Sequence, residues 1–159
     1  MSAAERLAGL GLTLPPVPTP AAAYQPWRRA GELVFTSGQL PLVDGALPST
    51  GRLGVELTTD EGAELARLAG LNVLAAAVAA VGDLERVRVV KLTVFVASAP
   101  DFTEQHLVAN GASQLIGEVL GEHGIHARAA VGVAALPLGS PVEVEGIVEV
   151  LAGADEDAG

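Results

Sequence analysis

The sequence predicts an α+β domain in which two long helices pack on one face of a single β-sheet. Two segments, 58–82 and 98–124, have apolar residues at helical spacing, and short segments rich in β-branched residues surround them. The predicted order is β-β-α-β-α-β-β. Helices that alternate with sections of one sheet cover a face of that sheet. The chain shows no internal repeat and no second domain.

The composition limits which residues can build the core and which partners the chain can bind. Half of the 159 residues are apolar, yet there are one Trp, one Tyr and three Phe, so Ala, Val and Leu must build the core. Small side chains bury little area each, and sharing the core with identical subunits is one way to enlarge it. A net charge of −10 opposes contact with phosphate backbones, so we expect no nucleic-acid partner. The absence of cysteine excludes disulfides and thiolate nucleophiles.

The two ends of the chain are predicted to lie outside the main domain, residues 22–151. Residues 1–21 form an extension, with a short helix at 3–10 that stops at Gly11 and a proline-rich lead-in. Residues 152–159 are predicted to be a disordered acidic tail. The start does not resemble a secretory signal, and the apolar stretch 71–81 is too short for a bilayer. We therefore expect a cytoplasmic protein with no membrane partner.

The first half of the domain contains two strands and a helix. Residues 22–30 predict a strand that Pro26 confines to the sheet edge, and residues 33–39 predict a second strand buried on both faces. Thr58 and Glu61 have the spacing of a capping box, so a helix begins there. Gly82 is the expected left-handed stop after Val81.

The second half of the domain again alternates strands with a helix. Residues 87–97 predict a strand, and Arg88 and Lys91 do not share a face, which indicates a bulge or a frayed start. Ser98 is the predicted N-cap of a second helix that runs to about residue 123, with a break near Asn110-Gly111. Residues 126–136 and 142–148 then predict two strands joined by a turn, as a C-terminal hairpin.

This C-terminal hairpin carries the candidate site. Arg128 is the lone cation between Lys91 and the C-terminus, and its planar fork suits bidentate recognition of a carboxylate. Glu143 and Glu145 share a face of a regular strand. The residues alone leave two interpretations open: an internal salt bridge, or a small-molecule carboxylate site in which one acid moves a proton. The histidines lack metal-ligand spacing, so we expect no metal.

Several segments, in this order, resemble the Rid/YjgF family of reactive-intermediate (enamine/imine) deaminases. They are Tyr24, Phe35-Thr36-Ser37-Gly38-Gln39-Leu40-Pro41, Lys91-Leu92-Thr93-Val94-Phe95-Val96, Asp101-Phe102, Arg128, Leu136-Pro137 and Val142-Glu143-Val144-Glu145-Gly146-Ile147. The resemblance covers about residues 22–150. It implies a chorismate-mutase-like fold, a homotrimer and sites in the clefts between subunits.

The resemblance also implies a reaction and residue roles. The reaction is cofactor-free hydrolysis of a 2-imino or enamine acid to a 2-keto acid and ammonia. Arg128 matches the arginine that holds the substrate carboxylate, and Glu143 matches the glutamate associated with the attacking water. The positions implied for substrate binding are Tyr24, Ser37, Gly38 and Asn110.

Two other functions remain open within that family. One is a non-catalytic trimer that binds a small carboxylate. The other is a ribonuclease or translation inhibitor, which the net charge of −10 disfavours. Gly132 and Ala135 replace larger or polar residues that are common after the family arginine. With the N-terminal extension and the longer second helix, they indicate a divergent subgroup.

Overall fold

The fold is a five-stranded sheet with two long helices packed against it, as predicted. The computed structural model describes residues 1–17, 23 and 25–153. The helices are α1 (Ala3–Gly9), α2 (Thr59–Val81) and α3 (Gln105–Leu120). The strands are β1 (Trp27–Ala30), β2 (Leu33–Thr36), β3 (Val87–Ala97), β4 (Ala127–Val133) and β5 (Val142–Val150). Short 3-10 turns lie at Leu84–Arg86, Gly121–Gly124 and Pro137–Gly139.

The strand order is β1-β2-β5-β3-β4. Strand β4 pairs with β3 in parallel, and every other pair is antiparallel. The predicted C-terminal hairpin is therefore wrong, because β3 lies between β4 and β5. Because β4 runs parallel to β3, the chain must return from the end of β3 to the other end of the sheet before β4 begins, and α3 makes that crossover.

Helix α2 begins and ends where the sequence predicts. The Thr58 hydroxyl accepts a hydrogen bond from the Glu61 backbone N–H, and the Glu61 carboxylate accepts one from the Thr58 N–H, which completes the capping box. Gly82 ends the helix with φ of 90°. By length and composition this helix could cross a membrane. Half of its most apolar window is buried inside the fold, however, as in the core helices of soluble proteins.

Helix α3 departs from the prediction at its start and in its middle. It begins at Gln105 rather than after Ser98, because the Ser98 hydroxyl donates to the Val96 carbonyl instead of capping a helix. No break occurs near Asn110. A Cβ on Gly111 would lie 2.7 Å from the carbonyl carbon of Ala63, so this glycine lets α3 approach the backbone of α2 closely.

Burial alternates along the strands, so the sheet has one covered face and one open face. Val94 and Val96 of β3 are buried beneath the helices, whereas Phe95 between them points to the open face and is half-buried. The predicted bulge is confirmed between Val89 and Lys91. Strand β2 was predicted to be buried on both faces, yet Phe35 is 43% exposed, because none of the described residues covers its outer face.

The ends of the chain differ in how they pack. Helix α1 inserts Ala3 and Leu7 into the core, and the Arg6 side chain donates to the carbonyl of Val119 in the last turn of α3. Strand β1 is at the sheet edge, as Pro26 predicts, but it begins at Trp27 rather than at residue 22. Residues 154–159 of the predicted acidic tail lie outside the described residues.

Candidate functional site

Arg128 lies on the covered face of the sheet, at its β4 edge. It pairs with Leu92, whose side chain is buried beneath the helices. Its guanidinium reaches α3, where Nη1 donates to Oδ1 of Asn110 at 2.9 Å and to Oγ of Ser113 at 3.1 Å. Nη2 donates to the carbonyl of His106 at 3.2 Å. The predicted neighbours Arg128 and Asn110 are thus brought into direct contact.

The donor count of this guanidinium defines what Arg128 can still bind. An arginine side chain carries five N–H donors. Asn110, Ser113 and the carbonyl of His106 take three of them, and each of these partners is uncharged. Among the described residues, the Nε–H and one Nη2–H have no acceptor. A carboxylate that binds in bidentate fashion uses two N–H groups.

The internal salt bridge that the sequence left open is absent from the described part of the chain. The ion pairs there join Arg29 to Glu32, Arg67 to Glu118 and Arg88 to Glu149. No ion pair joins Arg128 to Glu143 or Glu145 in these ranges.

Glu143 lies on the open face of the sheet. It pairs with Phe95 of β3, and its side chain packs on the backbone of Gly38. A Cβ on Gly38 would come within 2.7 Å of Cδ of Glu143, so glycine is needed there for the carboxylate to occupy its position. Burial, and then the negative charge of Glu145, raise the pKa of Glu143 above its ordinary value. The carboxylate is therefore a better base than an exposed glutamate.

Ser37 and Gly38 follow β2, and Gly38 lies against the side chain of Glu143 on the neighbouring strand. The Ser37 backbone N–H donates to the carbonyl of Pro26 at 2.8 Å, and its hydroxyl donates to the carbonyl of Gln25 at 2.5 Å. Ser37 therefore holds the lead-in to β1 against the end of β2. Tyr24 lies outside the described residues, so its predicted place in the cleft stays a prediction.

Within one chain, Arg128 and Glu143 are not brought together. They lie on opposite faces of the sheet, with β3 between their strands and a three-residue offset along it. With strands roughly 4.8 Å apart and a rise of about 3.3 Å per residue, their backbones are roughly 14 Å apart. The predicted residues form two groups: Arg128 with Asn110, and Glu143 with Ser37 and Gly38.

Two polar residues that the sequence analysis did not propose belong to the Arg128 group. The hydroxyl of Ser113, which accepts from Arg128, also lies 2.9 Å from Nε2 of His126. Nδ1 of His126 lies 2.6 Å from the carbonyl of Gly124. Asn110 and Ser113 are three residues apart on α3. Such residues share a helix face, and this was the one sequence signal for Ser113.

Gly132 lies on the same face of β4 as Arg128, two residue pairs further along. A Cβ there would come within 2.8 Å of Nε2 of Gln105 and 3.2 Å of Oγ of Ser98. The small residue that departs from the resembled pattern thus makes room for the start of α3. The Gln105 amide donates to the carbonyl of Phe102 at 2.8 Å and fixes this turn.

Two cavities among the described residues are lined by no member of either group. One, of about 470 Å³, lies between α2 and α3 on a floor of Leu65, Leu68 and Leu115. Another, of about 350 Å³, lies beside Pro15, Pro16 and Asn72. The Asn72 amide donates to the carbonyls of Leu40 and Leu42, so it is a satisfied core amide. Residues 1–17, 23 and 25–153 contain no group of three acids or histidines arranged for a metal.

Comparison with known proteins places this geometry in a family. Residues 16–150 match the family model described as Endoribonuclease L-PSP. Protein TCP17 of Trypanosoma cruzi is 52% identical over 149 residues, which are 92% of this chain and 93% of that protein.

Two solved structures extend the match. A putative endoribonuclease from Shewanella oneidensis MR-1 superposes with a TM-score of 0.90 at 33% identity, over 94% of this chain and 100% of that one. E. coli TdcF, solved with bound serine, superposes with a TM-score of 0.56 at 30% identity, over 87% and 93%. The chain therefore belongs to the endoribonuclease L-PSP family, which is part of the YjgF/Rid superfamily.

Proposed function

We propose that this protein hydrolyses a reactive 2-imino or enamine acid to a 2-keto acid and ammonia. Arg128 anchors the carboxylate of the substrate, and Glu143 acts on the attacking water. The reaction requires no cofactor, because an imine carbon is already electrophilic and anchoring, a placed water and a proton path suffice.

The observation that carries the proposal is the state of the Arg128 guanidinium. Its partners on α3 are neutral oxygens, so its positive charge is not cancelled by an acid of the described chain. Two N–H groups remain for a ligand. A half-buried cation held in place in this way favours a small anion that accepts two hydrogen bonds, which a carboxylate does.

The chemistry needs a base near the imine carbon, and the raised pKa of Glu143 suits that role. The water oxygen bonds to C2 of the protonated imine while a water proton passes to Glu143, which gives a carbinolamine. Glu143 returns that proton to the nitrogen. The hydroxyl proton then moves to Glu143 as the C2–N bond breaks and the carbonyl forms. Ammonia takes up this last proton and leaves as ammonium.

A complete site needs residues from two copies of the chain, since Arg128 and Glu143 lie on opposite faces of one sheet. The open face supports association. Leu33, Phe35 and Val131 point outward from it and are 37%, 43% and 42% exposed. Apolar side chains grouped on one face are typical of interaction surfaces. The resemblance sets the number of copies that we propose at three.

The serine bound to TdcF supports the substrate class. Serine is a small amino acid with a free carboxylate, and a 2-imino acid keeps that carboxylate beside the reacting carbon. We therefore expect substrates that derive from small amino acids.

The test is ammonia release from imines generated in the assay from a panel of amino acids. Arg128→Ala should abolish turnover while the oligomer survives in size-exclusion chromatography. Arg29→Ala is the matched control, because the side chain of that exposed arginine contacts only the nearby exposed Glu32 and the carbonyl of Gly31 among the described residues, and such exposed pairs contribute little. Full turnover by Arg128→Ala would contradict the proposal. A ligand-induced rise in Tm without ammonia release would favour the non-catalytic carboxylate-binding protein.

A further inference from the structure

Behind Arg128, a chain of hydrogen bonds runs away from the candidate site through Ser113 and His126 to the backbone. We propose that Ser113 and His126 are positioning residues that hold the Arg128 guanidinium so that its two remaining N–H groups face the substrate carboxylate. This inference rests on the proposed function, in which Arg128 is the carboxylate anchor.

With a neutral ring at His126, the contacts set the direction of every hydrogen bond in this chain. A carbonyl oxygen can only accept, so Nδ1 of His126, 2.6 Å from the Gly124 carbonyl, carries a proton. In the neutral ring Nε2 is then an acceptor, and the Ser113 hydroxyl must donate to it over 2.9 Å. With its proton committed to His126, Ser113 presents lone pairs to Nη1 of Arg128, which donates at 3.1 Å.

The far end of the chain is rigid. Gly124 is buried against α3, where a Cβ would lie 2.5 Å from the carbonyl oxygen of Ile116 and 2.9 Å from its carbon. The carbonyl that accepts the hydrogen bond from His126 is therefore fixed by backbone packing. The hydrogen bond to this carbonyl holds His126, His126 holds the Ser113 hydroxyl, and that hydroxyl holds the Arg128 guanidinium.

Positioning matters because an arginine side chain is long and loses much rotamer entropy when it is ordered. Asn110 and Ser113 together accept both protons of Nη1, which stops the guanidinium from turning about its own bonds. If Ser113 were free to rotate its hydroxyl toward Arg128, the contact would become donor against donor. His126 prevents that rotation.

The kinetic test separates positioning from a general structural role. Ser113→Ala removes the hydroxyl that links Arg128 to His126, Ser113→Thr keeps that hydroxyl, and His126→Phe keeps a ring without hydrogen bonds. We expect Ser113→Ala and His126→Phe to raise KM about five- to tenfold with kcat within about twofold of wild type, since a uniform binding contact is weakened. Ser113→Thr should restore the wild-type KM. His123→Phe is the matched control: this histidine is three residues away, with no side-chain hydrogen bond among the described residues.

A second measurement does not depend on turnover. Side-chain ¹⁵N NMR should show Nδ1–H and an unprotonated, hydrogen-bonded Nε2 in neutral His126, and slow rotation of the Arg128 guanidinium that becomes fast in Ser113→Ala and His126→Phe. Equal KM values for Ser113→Ala, Ser113→Thr and wild type, or unchanged guanidinium rotation in the variants, would overturn the inference. Failure of the proposed function is distinct, because it appears as unchanged turnover in Arg128→Ala.

Discussion

Replacing Gly38 by alanine should lower kcat strongly while leaving the fold intact. The new Cβ would lie 2.7 Å from Cδ of Glu143, and ordinary contact begins at 3.4 Å, so the carboxyl carbon must retreat by at least 0.7 Å. The carboxylate oxygen Oε1 lies closer still and must move further. Displacement of about 1 Å at a reacting group costs on the order of 100-fold in rate, so we expect kcat to fall about 100-fold.

The fold should tolerate this change. The φ of Gly38 is not in the left-handed region, so alanine can adopt it, and the atoms that must move are the end of a flexible, half-buried side chain. The three atoms nearest the new Cβ all belong to Glu143, so the carboxylate contact that we assign to Arg128 should persist and KM should stay within about threefold of wild type.

The assay is steady-state ammonia release, with Tm and oligomer size measured on the same preparations. Gly117→Ala is the matched control, because its added Cβ meets nothing within 4 Å. Wild-type kcat in Gly38→Ala would refute the assignment of Glu143 to the water.

Three other predictions follow from charge and packing. Glu145→Gln should move the acid limb of the kcat/KM profile to lower pH, because the charge of Glu145 helps to raise the pKa of Glu143, which must be ionised to act as a base; an unmoved limb would argue against Glu143 as that base. Gly111→Ala should lower the free energy of unfolding by about 1–3 kcal/mol in a denaturant titration, since the new Cβ would lie 2.7 Å from the carbonyl carbon of Ala63 and closer still to its oxygen, and this backbone cannot retreat. RNA should bind weakly at physiological salt, given the net charge of −10, and tight, salt-dependent binding in a filter assay would contradict this.

The features that the sequence predicts well depend on local chemistry. The bounds of α2 follow from a capping box at Thr58 and Glu61 and a glycine stop at Gly82, and each of these signals acts within one turn of the helix. Alternation along β3 likewise indicated a bulge or a frayed start near Arg88 and Lys91, because two cations three residues apart cannot share a face of a regular strand, and the register shift lies between Val89 and Lys91.

The features that the sequence does not predict depend on distant contacts. Two apolar strands joined by a short turn read as a hairpin, and nothing local indicates that β3 lies between them. Ser98 has the residue type of an N-cap, but its hydroxyl donates to Val96 and its side chain packs beside Gly132. For His126 the sequence indicates only the lack of metal-ligand spacing. Its hydrogen bonds to Gly124 and Ser113 exist only once the crossover is folded.

In the candidate site, too, some features could be predicted from the sequence and others depend on distant contacts. Arg128 and Glu143 were identified from residue type and resemblance, and their surroundings fit the roles proposed for them: a cation without an acidic partner in the described chain, and an acid whose pKa burial raises. Their separation on opposite faces could not be predicted, because it follows from strand order. The proposed function therefore takes the two residues from different copies of the chain.

Subunit mixing tests this shared site most directly. Arg128→Ala and Glu143→Gln are each expected to be inactive. If they are unfolded together, mixed in equal amounts and refolded, random assembly places an intact Arg128 opposite an intact Glu143 at about one quarter of the interfaces. We predict recovery of about one quarter of wild-type activity in the mixture, and none when either variant is refolded alone. A mixture that forms hetero-oligomers and stays inactive would contradict a site built from two copies.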